Sequence, residues 1–317
     1  MVPVVLIIFN RPHLTARVFE HIRVAKPPRL LVVADGPRQS QPDDVELCQA
    51  ARRIATSLDW PCELLTNFSD TNLRCRRRIS SGLDWAFEHC TEAIVLEDDC
   101  VPCSSFFDFC SHMLERYRDD ARIMHVSGNN FQGGIRRGSG SYYFSRYSHT
   151  WGWASWRRAW RYYDVHLTSW PLALREAWLN HVLEDKLEIE YWTHIFEKTY
   201  AGQIDCWDYQ WLFTCWCQGG LSILPNTNLV SNIGVGPDAT NFKQAHSTIG
   251  IPARELEDCR HPVAIVRDRE ADRLTFEEHI AGRQMREARK WHRIMRNRLA
   301  VRTQIKRMLR APFTGSA

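Results

Sequence analysis

What the chain lacks narrows the choices first. No stretch approaches the roughly 18 consecutive apolar residues that a membrane-spanning helix needs, so none is expected. The opening run MVPVVLII has no basic residue ahead of it and no small-residue cleavage site behind it. A buried first strand is expected there rather than a signal peptide. No internal repeat and no low-complexity tract interrupts the 317 residues. After the first strand the chain reads Phe9-Asn10-Arg11-Pro12, without the glycine-rich loop that cradles phosphates elsewhere. Acids are almost missing from the end: Ala281 to Ala317 holds eleven Lys/Arg and one acid, Glu287. That segment is about +10, against 30 basic and 36 acidic residues before it, a sign of a partner rather than of a fold. No recognition-helix or RNA-binding pattern accompanies it, so nucleic acid is not the expected partner.

Cysteine is plentiful, eleven in all. Without an export signal, reduced thiols and a cytoplasmic location are the expectation. CVPC at 100–103 and CWC at 215–217 read as ordinary thiols; the second spacing is unusual for structural zinc.

In the first 120 residues, apolar runs and helical spacings alternate. PVVLII, Leu30 to Ala34, CELLTN and AIVLEDD read as strands. His13 to Val24, Asp43 to Leu58, Arg76 to His89 and Phe106 to Tyr117 read as helices. Four strand–helix alternations predict a parallel sheet covered by helices on both faces. Ligands of such sheets bind beyond the carboxyl ends of the strands. Asn10-Arg11, Asp35-Gly36 and Glu97-Asp98-Asp99 all fall there. Three adjacent acids at a strand end repel one another and resist desolvation. A hard divalent cation, which takes carboxylate oxygens, is the simplest compensation; a solvated acidic loop is the other reading.

ADGPR, NLRCRRRISSGLDWAFE and AIVLEDDCVPCSSFFDF together resemble nucleotide-sugar glycosyltransferases of the GT-A fold. The relatives in view are bacterial sugar transferases of unassigned substrate, some labelled haemolysin-like, and animal N-acetylglucosaminyltransferase I. The resemblance covers about residues 2 to 245. It implies a Rossmann-like, mostly parallel sheet flanked by helices, with an aromatic-rich acceptor-side half. It implies Mn²⁺ or Mg²⁺ on Asp99, with Asp98 and Glu97 supporting a nucleoside diphosphate sugar, UDP-linked. Arg11 then matches an arginine on the base and Asp35 an acceptor for the uracil N–H; a surface arginine and a turn-forming aspartate are the plainer readings. Arg77 and Arg78, from the cluster Arg74, Arg76, Arg77, Arg78, are candidates for phosphate contact. Asp208 in QIDCWDYQW matches the family's catalytic base, with Asp205 as runner-up and a helix N-cap as the plainer role. Trp153 matches a residue beside the donor sugar, though its spacing from Trp156 and Trp160 also suits core packing.

Ten of the thirteen tryptophans lie between Trp151 and Trp216, where the acceptor, a glycan or a lipid-linked glycan, is expected to stack. GGIRRGSG, 133–140, reads as a mobile flap, and SNIGVGPDATNF, 231–242, as a closing loop with Asp238 polar-active. His246 is a further metal candidate. The expected organisation is a transferase domain over 1–250, with a nucleotide-binding half 1–125 and an acceptor-side half 126–250. A charged extension, 251–317, follows. Within it a basic amphipathic helix over Glu277 to Arg310 suits an anionic membrane surface at 281–310, hence peripheral attachment at the inner face. Two rivals are a nucleotidyltransferase that makes a nucleotide-sugar, which usually carries the glycine-rich loop missing here, and a non-enzymatic membrane-active protein.

Overall fold

A computed structural model describes residues 2–234, 250–280 and 282–291. The first half alternates β1 (Val4–Ile8), α1 (Pro12–Ala25), β2 (Arg29–Ala34), α2 (Asp44–Ala55), β3 (Glu63–Phe68), α3 (Arg74–His89), β4 (Glu92–Glu97), β5 (Cys100–Pro102) and α4 (Ser104–Arg116). The second half holds β6 (Ile123–Ser127), β7 (Tyr142–Ser145), β8 (Trp153–Trp156), α5 (Arg157–Trp160), α6 (Trp170–Arg175), α7 (Leu179–Val182), α8 (Lys186–Tyr200), α9 (Asp208–Cys217), β9 (Leu221–Pro225), β10 (Val230–Asn232) and α10 (Arg269–Leu274). The predicted strands and helices of the first 120 residues all form, with ends shifted by one to a few residues.

An eight-stranded sheet runs β3-β2-β1-β4-β8-β6-β9-β7. β3, β2, β1 and β4 are mutually parallel. β8 runs antiparallel to β4 and β6, and β7 antiparallel to β9. This is the Rossmann-like, mostly parallel α/β architecture expected from the sequence, with an irregular second half.

Strand alternation explains the two-sided core. Val4, Leu6 and Ile8 pack with α1, α2 and α4, among them Val18, Phe19, Ala51, Phe106 and Leu114. Val5 and Ile7 point the other way, onto Ile79, Leu83 and Phe87 of α3 and Trp211 of α9. Because side chains on a strand alternate between faces, a strand buried on both must be apolar throughout, which VVLII is. Each such side chain fully buried contributes about 1.5–3 kcal/mol. α3 lies so close to β2 that a Cβ at Gly82 would stand 2.3 Å from Val33 Cγ1.

Several expectations for the second half are corrected. Trp153 and Trp156 lie on a strand, not a helix, so they face opposite sides of the sheet. GGIRRGSG is tied down rather than free: Arg136 Nη2 donates to the Gly140 carbonyl at 2.8 Å, and Arg137 Nε to Gln132 Oε1 at 2.9 Å. The stretch from 251 docks on the body, with Gln132 Nε2 donating to the Ala271 carbonyl and Ser145 Oγ to Asp272. The expected long helix begins earlier than Glu277, as α10, passes through a π-helical turn at Thr275–Ile280, and is helical again over 282–291. There Arg283, Arg286 and Arg289 pair with Glu278, with Asp185 and Glu277, and with Glu190, so these three cations are held by the protein itself. The rest of the basic segment, and Asp238 and His246 of the expected loop, lie outside the described residues. All eleven cysteines are free thiols. Among the described residues no helix is long and apolar enough to cross a membrane.

Candidate functional site

The parallel strands end together. Ile8 is level with Ala34, Ala34 with Phe68, and Ile7 with Glu97. The residues that follow therefore meet at one edge, around a cleft of about 1260 Å³. Arg11, Asp35, Arg78, Glu97 and Asp98 line it, as do Asp44, Arg74, Cys75 and Asp205.

Arg11 stands just ahead of α1, where Pro12 fixes the first turn at no cost in hydrogen bonding. Its Nη2 donates to Asp99 Oδ2 at 2.9 Å and also to Asp98, and its Nε reaches Asp98 Oδ2 at 3.3 Å. The two carboxylates hold the guanidinium charged against the desolvation that opposes it. The sequence-based expectation of Arg11 on the nucleotide base thus meets a different arrangement, an arginine committed to the acids.

One arginine does not balance three acids. Burial, then repulsion from Asp99 and Asp98, pushes the Glu97 carboxyl up to about 8. Burial likewise raises Asp98, against the pull of Arg11. Asp99 accepts from Asn232 Nδ2 at 3.3 Å, and its carbonyl accepts from Ile233 N at 2.9 Å, so the segment after β10 is fastened to the triplet. Gly234 lies so near that a Cβ there would fall 2.1 Å from Asp99 Oδ2. These residues fit a hard divalent cation: they are oxygen donors in excess charge, the guanidinium already occupies cationic ground between two of them, and although Asp99 Oδ2 accepts from Arg11 and Oδ1 from Asn232, the missing side chain of Gly234 leaves room beside Oδ2. Among the described residues no set of three or more His, Cys, Asp or Glu side chains has ligand geometry. A cation here would draw the rest of its shell from phosphate and water, as Mg²⁺ sites commonly do.

Asp35 is buried and spent. Its Oδ1 accepts from Gly36 N and Leu73 N at 2.9 Å each, and its Oδ2 from Asn72 Nδ2 at 2.9 Å and Arg74 N at 3.2 Å. Burial raises its carboxyl, with those amides opposing. It fixes the entry to α3, and both oxygens are engaged before any base arrives. Arg78 is buried, with Nη2 donating to the carbonyl and side-chain oxygens of Asn67 at 2.7 and 2.6 Å. Arg77 is exposed and stands off the cleft.

Asp208 opens α9, after Trp207 as N-cap, so it is not itself the cap. Burial raises its carboxyl, while amide and thiol donors, including Cys206 and Tyr209, oppose the rise. Its charge is felt at Glu97 and at Cys75, where Glu97 and Asp205 act as well. The charges of both sequence-separated acid groups therefore act on Cys75. Asp205 lines the cleft itself and accepts from Arg76 N at 3.2 Å. Trp153 is not at the cleft: it is fully buried, stacked on His125 at 5.2 Å and on Trp207 at 5.4 Å. Sequence reasoning placed Asn10 at this edge but passed over Arg38 and Asp44; Asn10 and Arg38 both bond Asp44. The Arg38 bonds first, and then Asn10, hold the Asp44 carboxyl down at about 2 against the burial that would raise it. Polar residues just past β1 and β2 were the available signal.

No protein-family model matches the chain, and no curated protein matches it. Similar solved structures include HddC from Yersinia pseudotuberculosis complexed with GMP-PN, with 9% identity, a TM-score of 0.31, 50% of this chain covered and 78% of that one. Another is 4-diphosphocytidyl-2C-methyl-D-erythritol synthase from Anaerococcus prevotii, with 7%, 0.35, 70% and 87% for the same measures. A third is a cytidylyltransferase from Leptospira borgpetersenii, with 13%, 0.32, 51% and 63%. Identities and TM-scores this low carry no function across.

Proposed function

We propose that the protein is a transferase that uses a nucleoside diphosphate sugar, moving the sugar to a glycan or lipid-linked acceptor with inversion. One observation carries this reading: the ends of adjacent parallel strands β1 and β4 bring Arg11, Glu97 and Asp98 into one cleft that Asp205 also lines, with Asp99 bonded to Arg11 beside it and the Asp208 charge felt at Glu97. When bound, Mn²⁺ or Mg²⁺ would offset the charge on the departing diphosphate, with Asp99, supported by Asp98, as its protein ligands. Arg11 orients those carboxylates. The acceptor hydroxyl oxygen bonds to the anomeric carbon as the bond from that carbon to phosphate breaks, and Asp208 takes the hydroxyl proton. A carboxyl raised by burial is better matched to that proton transfer near neutral pH than an ordinary one. UDP is the donor nucleotide in this reading. The membrane surface is a proposed partner of the basic residues beyond 291.

A second reading, nucleotidyl transfer, is the activity named for one of the similar solved structures, the cytidylyltransferase. Against it stands the turn after β1, where Asn10 and Arg11 are bonded to acids and Pro12 begins α1, leaving no run of glycine amides for a triphosphate. Calorimetry with UDP and GDP, with Mn²⁺ and with EDTA, tests the cleft on the intact chain and on Asp99→Ala. Metal-dependent UDP binding lost in the variant supports the donor site; no nucleotide binding under any condition removes it. Release of UDP from a UDP-sugar then distinguishes glycosyl transfer from pyrophosphate release out of a nucleoside triphosphate and a sugar phosphate.

A further inference from the structure

Four arginines line the cleft: Arg11, Arg38, Arg74 and Arg78. Arg11 is held by Asp98 and Asp99, Arg38 by Asp44, and Arg78 by Asn67. The Arg74 guanidinium is exposed and has no ion pair or side-chain hydrogen bond among the described residues. Its backbone is unusual too. Arg74 has φ +65°, the left-handed region that L side chains avoid and glycine accepts. The Asp35 carboxylate, buried at the end of β2, takes the Arg74 N–H and the Leu73 N–H. A strained, non-glycine residue persists where its surroundings over-determine it, and such residues gather at ligand sites. Its neighbour Cys75 lies within the field of Glu97, Asp205 and Asp208, which places this turn beside the acids.

We propose that Arg74 binds the diphosphate of the donor, and that Asp35 is the positioning residue that holds Arg74 in place for it. The assignment rests on the donor reading above and names the residue that meets the phosphates. A guanidinium suits phosphate oxygens through paired, charge-assisted hydrogen bonds. It also answers why a buried carboxylate is spent on the entry to one helix, and why glycine does not stand at position 74.

The test uses the intact chain, Arg74→Gly and Arg74→Lys, each titrated with UDP, uridine and pyrophosphate in the presence of Mn²⁺, with melting temperatures alongside. Arg74→Gly is expected to lose about tenfold or more in affinity for UDP and pyrophosphate while uridine binding is unchanged. Its melting temperature should hold or rise, because glycine adopts the left-handed backbone without strain. Arg74→Lys should retain part of the UDP affinity. A residue with a merely structural role would move stability and all three ligands together, and that pattern overturns the assignment. Unchanged UDP and pyrophosphate affinity in Arg74→Gly overturns it as well, with the donor site left standing. If the intact chain binds neither UDP nor pyrophosphate, the donor reading itself fails and Arg74 falls with it.

Discussion

Arg11 and Asp99 are 88 residues apart and their side chains meet at 2.9 Å. The contact exists because β1 and β4 are parallel neighbours whose ends are level. Arg11 is the one basic group bonded to the triplet among the described residues, so the acids keep an excess of negative charge that a divalent cation can answer.

Gly234→Ala is the sharpest test of that answer. The new methyl would collide with Asp99 Oδ2, a contact that only movement of the carboxylate relieves. Metal-dependent UDP binding should fall about tenfold or more, with stability changed by no more than about 1–3 kcal/mol. Calorimetry beside thermal melting separates the two, and full retention of metal-dependent binding would remove Asp99 Oδ2 from the proposed cation site.

Glu97 makes the cleft sensitive to pH. Its carboxyl is pushed from the usual 4.5 to about 8 in the folded chain. Between those values the unfolded chain has released the proton and the folded chain holds it. Stability therefore declines as pH rises through that window. A cation that needs the carboxylate must displace the same proton, so Mn²⁺ affinity should climb between pH 6 and 8.5. Glu97→Gln should flatten both profiles. A stability curve for Glu97→Gln that parallels the intact protein across this range would assign the slope to another group.

Much of this was legible from residues alone. Continuous apolar runs such as VVLII specify strands buried on both faces, and the alternation with helices specifies the parallel half and its carboxyl edge. The gathering of Arg11, Asp35 and the triplet followed from that topology. What the sequence did not disclose is who bonds whom. An Asp before Gly-Pro can face a ligand or close a turn, and only the neighbouring α3 amides decide that Asp35 does the second. The tryptophan-rich half was misjudged for a related reason. Trp153, Trp156 and Trp160 obey helical spacing, but β8 pairs with β4 as a strand, which sends Trp153 and Trp156 to opposite faces of the sheet.

Trp153→Ala should accordingly be a stability variant. It opens a hole between His125, Trp207 and Trp211, at a cost of about 3–5 kcal/mol. At a temperature where the variant is folded, its UDP affinity should match the intact protein. A selective loss of donor binding in well-folded Trp153→Ala would restore Trp153 to the donor site.

Asp208 and Asp205 compete for the role of base, and kinetics can separate them. Asp205 is exposed at the cleft and bonded to the start of α3. Asp208 is more enclosed, with its carboxyl raised by burial. If Asp208 takes the acceptor proton, Asp208→Asn should bind UDP as the intact chain does and turn over about 10²–10⁴-fold more slowly. The group would also set the acid limb of the rate profile, since only its ionised form accepts a proton. Removing it should flatten that limb. Asp205→Asn should alter turnover little and keep the limb. The reverse result, with Asp205→Asn slow and Asp208→Asn near normal, would move the base to the cleft-lining residue and leave Asp208 a first-turn acid that stabilises the start of α9.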